Sequence, residues 1–155
     1  MKNKTTGRSP APIMFRHALH DTPTVRYHTG TVVFDEMFRN GRLCTRYWSP
    51  AGQVWPEMHI ENLTWGADEP ADTFSVGVEG HGLLAGGYRW LDGQLAAKGT
   101  SGYRTGGGRV PVEGVITLGH ATAPVEIKVH TRVDGDGFLI RWLDITNTSR
   151  QAIGL

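Results

Sequence analysis

The stretch that decides the fold runs from residue 125 to residue 147 and reads VEIKVHTRVDGDGFLIRWLDITN. Its first nine residues alternate in character. Val125, Ile127, Val129 and Val133 fall on one side, and Glu126, Lys128, His130 and Arg132 on the other. A period of two is the mark of a strand with one buried face. Asp134-Gly135-Asp136-Gly137 follows, and the chain can reverse there, because glycine reaches positive φ without steric cost and Asp tolerates it. The return, Phe138–Thr146, puts Phe138, Ile140 and Trp142 on one face and Leu139, Leu143 and Ile145 on the other. Apolar residues on both faces predict an inner strand of a layered sandwich, with Trp142 in the core.

Outward from this hairpin the same grammar continues. Short β-branched and aromatic runs predict strands at Val25–Phe34, Arg42–Trp48, Met58–Trp65, Thr73–Glu79, Leu83–Leu91 and Val112–His120. The separators are turn signals: Asn40-Gly41, Ser49–Gly52, Ala67–Ala71, Gly80–Gly82, Asp92-Gly93 and Gly99–Gly108. No segment sustains a 3.6-residue apolar period, so helix is expected to be nearly absent. The fold class is therefore all-β, an antiparallel β-sandwich. Residues 1–12 are polar, with two prolines, and read as a flexible lead; residues 13–155 form the sandwich domain. The chain stops at Gln151–Leu155, where an apolar run begins after the Asn147-Thr148-Ser149 turn. This predicts an incomplete sandwich, the first part of a longer domain or chain.

At 155 residues there is enough chain for one domain with a proper core. Glycine is the outlier, with 21 copies where average usage gives about half that. Sixteen basic residues stand against fifteen acidic, and they are not clustered, so nothing predicts a nucleic-acid partner. The single cysteine, Cys44, rules out an internal disulfide framework and fits a reducing compartment. The N-terminus has no apolar signal region and no stretch is long enough for a membrane span, so a soluble, cytoplasmic protein with no membrane partner is expected.

Chemical motifs are sparse. There is no G-x-S-x-G, and Cys44 has no base near it in sequence. The glycine-rich segment around Tyr103 lacks the Lys-Ser/Thr ending and the following helix of a phosphate loop. The spacings of seven histidines match no strong zinc signature, so neither metal nor cofactor is expected. Asp68, Glu69 and Asp72 form an acidic cluster. Two carboxylates at the right separation can hydrolyse a glycosidic bond, but in a Pro-containing loop solvated turn residues are the simpler reading. The tryptophans carry more information. Trp48, Trp55 and Trp65 crowd into one stretch, and Trp90 ends another strand. Such rings stack on the apolar faces of sugars, or else they fill cores and interfaces. Trp55, stiffened by Pro56, is the best single candidate for a sugar contact.

FSVGVEGHGLLAGGYRWLD, followed by the run from Val112 to Leu155, resembles the N-terminal β-supersandwich of alpha-galactosidase-like glycoside hydrolases, family 36 and relatives. The carrying features are the APVEIKVHTRV strand, the DGDG turn and the FLIRWLDITNTS return with Arg141 and Asn147. The likeness covers residues 73–155, and the galactose-mutarotase-like sandwiches of several hydrolase families share such strands. It implies that the catalytic aspartates lie on a (β/α)8 barrel following the sandwich, a barrel this chain does not contain. No catalytic residue is carried over. The expected function is that of a non-catalytic sandwich domain supporting such a barrel. Its partners would be carbohydrate or a catalytic domain of the same parent protein, and it could also form a homo-oligomer. The alternatives are a free-standing carbohydrate-binding module and a structural or oligomerisation domain.

Overall fold

The computed structural model describes residues 13–16, 23–29, 31–49, 72–94, 111–134 and 136–155. The expected lead, the Met58–Trp65 strand, the Asp68-Glu69 acids and the Gly99–Gly108 loop lie outside them. The described residues form ten strands: β1 (Ile13–Arg16), β2 (Pro23–His28), β3 (Val33–Arg39), β4 (Arg42–Ser49), β5 (Val76–Val78), β6 (Gly82–Leu84), β7 (Tyr88–Gln94), β8 (Val112–His120), β9 (Val125–Val133) and β10 (Leu139–Asn147). All their pairings are antiparallel, and the described residues contain no helix. One four-stranded sheet runs in the order β1-β2-β3-β4, a second runs β10-β9-β8-β7, and β5 and β6 form a small hairpin.

The two larger sheets close on one core, which makes the molecule a β-sandwich. Val25, Tyr27, Phe34 and Leu43 come from the first sheet. Ile116, Leu118, Ile127 and Val129 come from the second, all four with no exposed surface. Each such side chain stabilises the fold by about 1.5–3 kcal/mol relative to leaving it in water.

Local chemistry sets the turns. Asn40 and Gly41 both take positive φ, 51° and 72°, which is the two-residue hairpin geometry that Asn-Gly favours. The Val25–Phe34 run, expected as one strand, is instead a hairpin. The Thr29 hydroxyl accepts from the Val32 backbone N–H at 3.0 Å, and this local bond replaces strand pairing. Leu83–Leu91 is likewise divided. Gly86 and Gly87 adopt φ of 137° and 76°, which a continuous strand does not allow. Asp92-Gly93 is no turn; it lies inside β7, next to a register shift between Trp90 and Asp92.

The deciding hairpin turns at Asp134–Gly137, as expected, with the Asp134 N–H donating to the Phe138 carbonyl at 2.9 Å. The placement of its second strand is corrected. Among the described residues β10 is not an inner strand but the edge of its sheet. Phe138, Ile140 and Trp142 share a face as read, but that face meets solvent, with Phe138 66% and Trp142 44% exposed. The core takes the other face, where Leu143 and Ile145 pack. The Gln151–Leu155 end starts no further strand. It is tied by backbone to the β5–β6 hairpin, the Glu79 N–H donating to the Gly154 carbonyl at 3.0 Å.

Candidate functional site

Two buried acids sit on adjacent residues of β3. A register shift between Asp35 and Glu36 turns both side chains out of solvent, on a strand where simple alternation would bury only one. Asp35 receives a two-pronged bond from Arg26 on β2, at 2.8 and 2.7 Å, and Arg46 approaches it at 3.9 Å. Glu36 points across the sandwich, where Arg141 of β10 donates to it and also to the Thr131 hydroxyl, at 2.8 Å. The Arg141 guanidinium lies 5.7 Å from the centroid of the Phe34 ring.

Tyr27 completes this polar core beside Glu36 and Thr131. Burial, reinforced by the Glu36 charge, pushes its hydroxyl well above the usual tyrosine range. Burial also raises the Glu36 carboxyl, against the opposing pull of Arg141. The cluster binds one sheet to the other and leaves no acid facing solvent.

Of the expected aromatic group, Trp48 and Trp90 are described, and they lie in different sheets. Trp48, on β4, is 37% exposed and packs edge-on against Phe34, ring centroids 5.8 Å apart. Trp90 belongs to the other sheet and is half-buried, packed edge-on against Phe38 at 5.8 Å. Trp55 and Trp65 lie outside the described residues. Of the acidic cluster only Asp72 is described, and it binds Arg42 at 2.7 Å, beside the buried Cys44 thiol. No metal-holding cluster of His, Cys, Asp or Glu occurs among the described residues.

Two other places concentrate chemistry. The first is an open cleft of about 310 Å³ bordered by Arg89, Leu91, Pro124 and Glu126. Its histidine, His120, is occupied with structure. Nδ1 accepts the Ala123 N–H at 2.9 Å and Nε2 meets the Gly86 carbonyl at 2.8 Å, which selects the tautomer with hydrogen on Nε2.

The second place is the outer face of β8, β9 and β10, where the register sets three rows across the strands. Trp142, His130 and Val115 form the middle row. Ile140, Arg132 and Glu113 lie on one side of it, and Asp144, Lys128 and Thr117 on the other. The Trp142 indole stacks on the His130 ring, centroids 4.7 Å apart and planes within 11°. His130 Nε2 meets Asp144 Oδ2 at 2.8 Å. Asp144 fixes the imidazole, and the imidazole backs the indole. Sequence reading missed Trp142 as a surface residue because its strand carries apolar residues on both faces. The polar alternation of the neighbouring strand, with His130 opposite Trp142, was the available signal.

Fold and site together define an all-β antiparallel sandwich with a charged, inward-tied core and one aromatic group on its open sheet face. No helix of the described residues is long and apolar enough to cross a membrane. No family model, no curated protein and no solved structure matches the chain.

Proposed function

We propose that this chain is a non-catalytic β-sandwich domain of a carbohydrate-active enzyme, of the alpha-galactosidase-like kind, supporting a catalytic barrel. The observation that supports the non-catalytic part is the fate of the acids held inside the described residues. Glycoside hydrolysis needs two carboxylates flanking a substrate that can reach them. Asp35 and Glu36 are adjacent but fully buried and bound by arginines, and Asp72 is held by Arg42. Asp144 is open, but the group it contacts is a histidine, not a second acid. The supporting role draws on the exposed end of the β9–β10 hairpin. Phe138, Leu139 and Ile140 offer apolar surface of the kind that a neighbouring domain covers. The parent family rests on the resemblance of residues 73–155.

Two measurements test this reading. The purified chain is expected to release no aryl alcohol from aryl alpha-galactosides, and turnover that Asp144→Asn abolishes would overturn it. The coding sequence past the codon for Leu155 is expected to continue into alternating strand and helix patterns. A stop codon directly after Leu155 would remove the tethered barrel from the account.

A further inference from the structure

We propose that the outer face of β8, β9 and β10 holds a saccharide-binding subsite centred on Trp142. The proposal goes beyond the supporting role and does not depend on it. A pyranose offers a flat C–H face and a rim of hydroxyls, so its site needs a rigid aromatic plane with hydrogen-bonding groups on either side. Trp142 supplies the plane. His130, on the neighbouring strand, covers one face of the indole, and the exposure of the ring therefore lies on its other face and edges. Adjacent strands are about 4.8 Å apart, so two stacked rings on them stand up from the sheet, and the free face of the indole looks out past the β10 edge.

The ring is already ordered by its stack, so using it in binding costs little further side-chain entropy. Asp144, 59% exposed, bonds His130 through one carboxylate oxygen. It keeps acceptor sites for a pair of sugar hydroxyls. Arg132, on β9 beside His130, borders the outer edge of the indole rather than its free face, and keeps N–H donors beyond those on Asp134 and Glu113.

The same mixture argues against a protein partner on these rows. Interface cores are depleted in charge, whereas charged side chains flank Trp142 in both neighbouring rows. The apolar surface runs from Ile140, beside Trp142, to Phe138 at the hairpin end.

The probes are soluble galacto-, malto-, xylo- and cello-oligosaccharides of about four to six units, titrated into the full chain by calorimetry at up to about 10 mM. At least one series is expected to bind. Trp142→Ala should weaken that binding about tenfold or more, and Trp142→Phe should retain part of it. Asp144→Asn should alter the preference among the series. Circular dichroism and thermal unfolding of the variants report whether the fold is kept, and Trp142→Phe repeats the test should the alanine variant unfold. No binding of any series, or binding that a folded Trp142→Ala variant leaves unchanged, overturns the subsite. So does a self-association seen by light scattering that Trp142→Ala abolishes in the absence of sugar binding. None of these results bears on turnover or on the coding sequence past Leu155, so the two readings fail separately.

Discussion

Strands β9 and β10 are each nine residues long and pair along their whole length, from Val133 opposite Leu139 to Val125 opposite Asn147. Their surroundings differ. β9 has strands on both sides, and its odd-numbered residues, Val125 to Val133, are all buried. Among the described residues β10 has a neighbour on one side, and none of its own residues is fully buried. Hydrophobicity does not separate the two strands, since β10 carries Leu139, Ile140, Trp142, Leu143 and Ile145. Position in the sheet does. Alternation identifies which residues share a face, while the neighbouring layers decide which face is covered.

The largest expected effect lies where the two strands meet the other sheet. Arg141→Ala leaves the Glu36 carboxylate buried without its guanidinium, at a cost of about 3–5 kcal/mol near neutral pH. The pH dependence has a definite sign. Burial holds the Glu36 carboxyl above its ordinary value in the fold, so this group favours folding at low pH and opposes it as pH rises through the raised value. The deficit of Arg141→Ala should therefore shrink on acidification, as Glu36 takes up its proton. Urea unfolding of both proteins across a pH series reads this directly, and a deficit that grows on acidification contradicts it.

Next comes the contrast between the strands themselves. Ile127, fully buried on β9, should cost about 2–5 kcal/mol on replacement by alanine. Trp142→Ala on β10 should cost less, about 1–2 kcal/mol, because 44% of the residue's surface is already exposed and the change forfeits one ring stack and partial burial. Equal losses in denaturant unfolding would mean that β10 is covered on both sides after all.

A smaller effect is expected at Tyr88 on β7. Partial burial, helped by the Asp72 charge, pushes its hydroxyl up to about 12. Its folded value lies above the unfolded one, so its contribution to stability is intact below pH about 10 and is lost as pH rises toward 12. Tyr88→Phe removes that step. An alkaline unfolding profile identical in the two proteins would contradict the assignment.

Much of this fold is legible in the sequence, for identifiable reasons. β8 and β9 match their expected boundaries because period-2 alternation and flanking turn residues agree there. Asn40-Gly41 and Asp134–Gly137 turn the chain as their chemistry requires. The Thr29–Val32 reversal was hidden because a threonine side-chain bond makes the turn inside a β-branched run. The burial of both Asp35 and Glu36 was hidden because a β-bulge breaks the alternation that predicts faces.

The candidate site was legible only in residue type. Trp48 and Trp90 were read as candidate sugar contacts, and each lies edge-on against a phenylalanine; Trp142 was assigned to the core and is 44% exposed. The edge position of β10, which exposes it, depends on the order of strands in the sheet, and no local pattern encodes that order.

Hydroxyl-radical footprinting of the unmodified chain tests the central claim most directly, because it reads both regions in one experiment. The account predicts rapid oxidation of Trp142 and Phe138 on the open face, with Tyr27, which has no exposed surface, protected until the protein unfolds. Protection of Trp142 equal to that of Tyr27 in the monomeric protein would contradict it.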